Sequence, residues 1–153
     1  MSSDSRLSAA EWAEIHNLYA YYNRCSDSGD AEGYASCFTE NGVMDLVSRK
    51  MVATGRQALI EHKHRDVAGR NGMYRRHWNS GLMLTKQADG SVRGWCYLHA
   101  YNGVPGSLPV LQGAGVYDDT IVAVDGEWKF SYRKLTMDAR TESPAPRAST
   151  ASS

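Results

Sequence analysis

A change of texture at Tyr74 does most to limit what this chain can fold into. Before it, apolar residues recur every three or four positions. After it come four long β-type segments: Tyr74 to Lys86, Ser91 to Asn102, Val110 to Val124 and Glu127 to Ala139. Ala88-Asp89-Gly90 and Asp125-Gly126 stand where hairpin turns belong, and Gly103 to Pro109 reads as a longer loop. In the last segment Trp128, Phe130 and Tyr132 alternate with Lys129, Ser131 and Arg133, which predicts one buried face. The apolar phase then moves to Leu135 and Met137, predicting a bulge near Arg133-Lys134. Helices followed by a run of antiparallel strands define an α+β fold. A strongly curved sheet with helices closing its concave side would enclose a pocket.

The helical half is equally patterned. Ser8-Ala9-Ala10-Glu11 is a capping box, and Trp12, Ile15, Leu18, Tyr19 and Tyr22 form the stripe of an amphipathic helix. Ser26 to Asp30 breaks it, so Asp27 is expected just past its end. Asp30 would cap a short helix from Ala31 to Phe38. Glu40-Asn41-Gly42 is a turn signal, Val43 to Val47 reads as a short strand, and Lys50 to Thr54 as its hairpin partner. Gly55 to Ala68 returns to helical spacing, with Ala58, Leu59 and Val67 as its apolar positions.

At 153 residues the chain is long enough for one core without disulfides or a metal. We expect a single domain over residues 1–140 and a disordered tail over 141–153, rich in Ser, Ala, Pro and Thr. Seventeen basic residues balance seventeen acidic ones, so no long-range field favours nucleic acid or an anionic membrane. The short basic runs Lys63-His64-Arg65 and Arg75-Arg76 read as solvated faces. No apolar run approaches the roughly eighteen residues of a membrane span. The N-terminus lacks the hydrophobic region of a signal peptide, so a cytoplasmic location is expected. Cys25, Cys37 and Cys96 are odd in number and show no CxxC spacing, which suits reduced, buried thiols. No His/Asp/Glu spacing suggests a metal, and no cofactor is expected.

Among the titratable residues, Asp27 and His77 make the strongest candidate pair. An imidazole oriented by a carboxylate can remove a proton near neutral pH. The bland alternative is a strand histidine packed beside Trp78 and an aspartate capping a helix. If His77 points into a pocket, strand alternation would place Asn79, Gly81 and Met83 beside it, with Trp78 and Leu82 facing away. Tyr22 could donate a hydrogen bond to a substrate oxygen. Residues five apart on a helix differ by about 140° around its axis, so Tyr22 and Asp27 share a pocket only if the helix ends near Cys25-Ser26. His16, His62 and His64 read as surface or structural residues. Trp95, Tyr97, His99 and Tyr101 share one strand face. That face is a wall for a flat hydrophobic ligand if concave and a subunit interface if convex.

Several motifs resemble the SnoaL-like proteins of the superfamily named after nuclear transport factor 2. They are Ile15-His16-Asn17-Leu18-Tyr19, Asp27, Phe38-Thr39-Glu40-Asn41-Gly42-Val43, Gly55-Arg56-Gln57-Ala58-Leu59, Arg76-His77-Trp78, Gly113 to Asp119, and Asp125-Gly126-Glu127-Trp128-Lys129-Phe130. The resemblance spans Ala9 to Asp138 and implies a cone-shaped α+β barrel. Scytalone dehydratase, hexachlorocyclohexane dehydrochlorinase and bile-acid 7α-dehydratase are similar in using an Asp–His pair at the positions of Asp27 and His77. Tyr22 matches a tyrosine of the bile-acid enzyme, and His99 falls near a second histidine of scytalone dehydratase. Ketosteroid isomerase, a worked case of pKa tuning, has a similar fold and an aspartate base on its first strand. Asp45 lies one residue early, which on a strand turns it to the other face.

What the resemblance implies is a cofactor-independent lyase of dehydratase type acting on a hydrophobic cyclic or aromatic small molecule. His77 would be the base, Asp27 its partner and Tyr22 a polar assistant. By strand alternation Asn79 would contact substrate, as would Trp95, Tyr97 and His99 if their face is the concave one. An isomerase or polyketide-cyclase activity would use the same base. A non-catalytic role, like the β subunits of ring-hydroxylating dioxygenases, would not need the pair. A homodimer or homotrimer is expected, since the outer sheet face needs cover.

Overall fold

The computed structural model describes residues 6–141. The expected tail lies outside them apart from Thr141. The first helix, α1 (Ala9–Ser28), opens with the Ser8/Glu11 capping box: Glu11 N–H donates to Ser8 Oγ at 3.1 Å, and Ser8 N–H to Glu11 Oε2 at 2.7 Å. It ends at Gly29, whose φ of 80° supplies the left-handed cap. Asp27 therefore sits in the last turn of α1 rather than past it. Helix α2 (Ala31–Ser36) begins at Asp30, whose carboxylate accepts from Gly33 N–H at 2.8 Å.

Strand β1 (Phe38–Leu46) is longer than its sequence suggested, because Glu40-Asn41-Gly42 forms an irregularity within the strand rather than a turn before it. A 3₁₀ turn (Val47–Arg49) leads to β2 (Met51–Thr54), and α3 (Arg56–Ala68) follows. Strands β3 (Tyr74–Lys86), β4 (Val92–Gly103), β5 (Val110–Val124) and β6 (Glu127–Arg140) form the antiparallel run. The sheet order is β2-β1-β6-β5-β4-β3, with β1 and β6 its parallel pair. It is a mixed six-stranded sheet with β2 and β3 as free edges, so it is not closed into a barrel. The α+β architecture holds.

The helices lie against one side of the sheet, α1 on β3 and β6, and α3 on β1 and β2. Ile15, Tyr19 and Tyr22 from α1 meet Tyr34, Phe38, Met44, Leu98, Tyr117 and Phe130 in a continuous core. Each such side chain gains about 1.5–3 kcal/mol on burial. All three cysteines are free and buried.

Two bulges decide which residues enter that core. The β5–β6 register skips Ser131, between Phe130↔Ile121 and Tyr132↔Thr120. Alternation is thereby reset two residues earlier than the sequence phase suggested. Phe130 and Arg133 are both buried, while Tyr132, expected inside with Phe130, is exposed. On β3 the register shifts between Ser80 and Met83, with Gly81 at φ 65°. Leu82 consequently packs on the core and Met83 is 61% exposed, the reverse of simple alternation.

Arg133 is fully buried, its guanidinium ringed by Tyr117, Tyr22, Phe130 and Tyr19 at 3.7, 4.0, 4.4 and 4.8 Å from their centroids. Asp119 lies 3.5 Å from its Nε and accepts the Tyr19 hydroxyl at 2.6 Å. This ion pair is a core feature that alternation alone did not reveal.

Candidate active site

The last turn of α1 lies across the start of β3. His77 Nδ1 is 2.6 Å from Asp27 Oδ1, and the His77 backbone N–H donates to Asp27 Oδ2 at 3.1 Å. One carboxylate thus grips both the ring and the strand that carries it. A carboxylate only accepts, so Nδ1 carries the proton and Nε2 holds the free lone pair of the neutral imidazole. His77 lines a cavity beneath the helices. Burial pushes its pKa below the ordinary 6.5, against the raising effect of Asp27, and Lys63 and Arg75 push the same way. The imidazole is therefore neutral at pH 7 and competent to accept a proton.

Tyr22, Tyr34 and Tyr117 line the same cavity, with Leu98 and Leu135 giving it apolar walls. The Tyr22 hydroxyl lies 3.5 Å from the Tyr34 hydroxyl and 3.8 Å from Met44 Sδ. Burial raises its pKa well above 10, so it remains a neutral donor.

A buried charge network forms another wall. Lys63 Nζ donates to Ser26 Oγ at 2.8 Å and lies 3.2 Å from Asp66, and Arg70 reaches the same carboxylate at 2.6 Å. Arg75 binds its other oxygen. Arg70 also donates to the Ser26 and Asp27 carbonyls at 2.6 and 2.9 Å, so the network holds the end of α1 in place. Burial would raise the Asp66 pKa, but the three cations hold its carboxyl well below the usual carboxylate range. Burial brings Lys63 down to about 8 and His62 to about 4. Among the described residues, no three His, Cys, Asp or Glu side chains converge as a metal site would need.

The sequence profile of the SnoaL-like domain matches residues 8–134. The chain belongs to the SnoaL-like domain family. No curated protein matches it. Among solved structures, Aln2 from a Streptomyces species is similar with a TM-score of 0.80 at 21% identity, covering 86% of this chain and 94% of Aln2. A scytalone dehydratase-like protein from Novosphingobium aromaticivorans gives 0.75 at 23% identity, over 89% of each chain. A protein from Catenulispora acidiphila in complex with S-DNPA gives 0.74 at 25% identity, over 86% of this chain and 96% of its own.

This SnoaL-like domain distributes the sequence-nominated residues unevenly. Asp27, His77 and Tyr22 come together, although α1 runs unbroken to Ser28. The geometric objection to Tyr22 and Asp27 sharing a site dissolves because Asp27 does not line the cavity. It grips His77 from the flank, and the imidazole bridges the angle between the two. Asn79 is on the His77 face but is tied to α1, accepting from Asn23 Nδ2 at 2.5 Å. It does not line the cavity.

Trp95, Tyr97 and His99 stand on the outer face of β4, away from the cavity, since Gly94, Cys96 and Leu98 are the residues turned inward. Substrate contact in this cavity is not open to them. Asp45 also faces outward, where the Tyr132 hydroxyl bonds it, as a one-residue offset on a strand requires.

Residues that sequence reading placed outside the site also line it. His62, read as a surface or structural residue, is buried and lines the cavity, and Lys63 and Arg75 turn inward from runs read as solvated. A signal existed: extending the Leu59 stripe at three- and four-residue steps reaches His62, Lys63, Asp66 and Arg70. Their polarity hid that stripe. Among the described residues no helix is long and apolar enough to cross a membrane.

Proposed function

We propose that this SnoaL-like domain is a cofactor-independent lyase of dehydratase type, acting on a cyclic or aromatic-type small molecule. The observation that carries the reading is the 2.6 Å contact of Asp27 with His77 Nδ1, which directs the basic Nε2 away from the carboxylate. His77 Nε2 takes the proton from the carbon beside a substrate carbonyl. Those C–H electrons form the new C=C bond as the neighbouring C–O bond breaks, and the imidazolium returns its proton to the departing hydroxide as water. Asp27 stabilises the imidazolium formed in between, and the Tyr22 hydroxyl donates to a substrate oxygen.

The experiment is proton NMR of β-hydroxy cyclic ketones with the protein in D₂O. The lyase reading expects His77-dependent loss of water with a new vinylic signal. Deuterium uptake beside the carbonyl without water loss would instead make the same base an isomerase or cyclase catalyst. No chemistry, or chemistry unaffected by His77→Gln, would leave a binding or assembly role. The reading also takes the exposed patch around Trp78, Tyr97 and Met83 as the contact with a second copy, checked by sedimentation velocity.

A further inference from the structure

The chain has no net charge, yet its cavity is strongly cationic. Arg49, Lys63, Arg75 and Arg140 line it against one carboxylate, Asp66. That carboxylate is already engaged by Lys63, Arg70 and Arg75. Among the described residues, Arg49 and Arg140 have no acidic partner.

Both arginines are held at the same rim by backbone structure. Arg49 ends the 3₁₀ turn after β1, and Arg140 ends β6. Between them, Met137 N–H donates to Ser48 Oγ at 3.0 Å, locking the turn that carries Arg49 to the strand that carries Arg140. Lys50, at φ 49°, closes the turn behind Arg49. Burial presses the Arg49 guanidinium below its usual pKa, and the nearby Arg140 and Arg75 add to this against the opposing pull of Asp66, so like charge outweighs unlike charge around it.

We propose that the ligand of this cavity carries a carboxylate that docks on Arg49 and Arg140 at the rim, with its hydrophobic ring directed inward between the tyrosines. The inference rests on the cavity being the substrate site, and it changes the expected substrate from a purely hydrophobic molecule to an amphipathic cyclic acid. Two planar guanidiniums match the two oxygens of a carboxylate, forming charge-assisted hydrogen bonds that a neutral amide of the same shape cannot form. Arg75 and Lys63 are poorly suited to this task, since Asp66 holds both.

The test is calorimetric titration of the full chain with 1-naphthoate and with its neutral isostere 1-naphthamide. The expected result is a preference of about ten- to hundredfold for naphthoate. That preference should weaken at high salt, because the rim is exposed. Arg49→Gln and Arg140→Gln should each remove most of it, with melting temperature unchanged, since neither side chain supports the core. His77→Gln should leave it intact. Equal binding of the two probes, no binding of naphthoate, or a preference that survives both arginine variants would overturn the proposal. Because the readout is binding, failure of the proton-transfer reading leaves this result standing, and turnover without a carboxylate preference separates the two the other way.

Discussion

His77 Nδ1 lies 2.6 Å from Asp27 Oδ1 while the His77 backbone N–H donates to the other oxygen of the same carboxylate at 3.1 Å. The ring cannot rotate without losing its partner, and the carboxylate cannot swing away without also releasing the strand. Replacing Asp27 by Asn keeps the shape but presents an N–H₂ or a weaker acceptor to Nδ1. The tautomer with a basic Nε2 is then no longer favoured. We expect Asp27→Asn to lower kcat by about 10³–10⁴-fold. Nitrogen-15 NMR of the His77 ring should report the tautomer change, and a full rate in this variant would refute the assignment.

The rate should also report the protonation of His77. Only the neutral ring is a base, and burial holds its pKa below 6.5. Activity is therefore expected to be full at pH 7 and to fall as pH drops through a midpoint below 6.5. A pH profile of kcat/KM checks this directly. An acid limb centred above 6.5 would contradict the assigned base.

Tyr22 separates catalysis from packing. Its hydroxyl makes only long contacts, to Tyr34 at 3.5 Å and Met44 Sδ at 3.8 Å, while its ring is part of the core. Tyr22→Phe keeps the ring, so the melting temperature should barely move. Loss of one transition-state donor should lower kcat by about 10²-fold. An unchanged rate would make Tyr22 a core residue alone.

Asp66 anchors the opposite wall. It neutralises Lys63, Arg70 and Arg75, so Asp66→Asn leaves two buried cations and one half-buried cation short of a partner. A loss of about 3–5 kcal/mol is expected in urea unfolding. Because the folded pKa of Asp66 lies below its unfolded value near 3.8, its contribution is complete above that value and is lost as pH falls below it. Wild type should therefore lose stability steeply below about pH 4, and Asp66→Asn should lack that component.

Asp45 provides the contrast. It faces outward against Tyr132, so Asp45→Asn should leave the rate unchanged. A large loss would revive the first-strand aspartate as the base.

The legibility of this molecule follows the range of the forces involved. The capping box at Ser8, the Gly29 cap and the turn signals at Asp89-Gly90 and Asp125-Gly126 act within a few residues of themselves. They made the helices and the four long strands readable directly from the chain. Asp27 and His77 were readable as a pair through the resemblance of their surroundings to a known family. Their contact was not, because fifty residues separate them. The inward set of the strands was also hidden, because one extra residue at Ser131 or around Gly81 reverses the side chains that follow it, up to the next register shift. A bulge is stabilised by partners across the sheet, not by its own neighbours. The charged side of the cavity was hidden for a related reason. Lys63, Asp66 and Arg75 read separately as solvated charges, and only the packing of α3 against the end of α1 and the start of β3 makes them partners away from water. The sequence by itself determined which segments fold and as what. The tertiary structure decided which faces turn inward and which charges meet, because burial and ion pairing depend on neighbours brought together from distant parts of the chain.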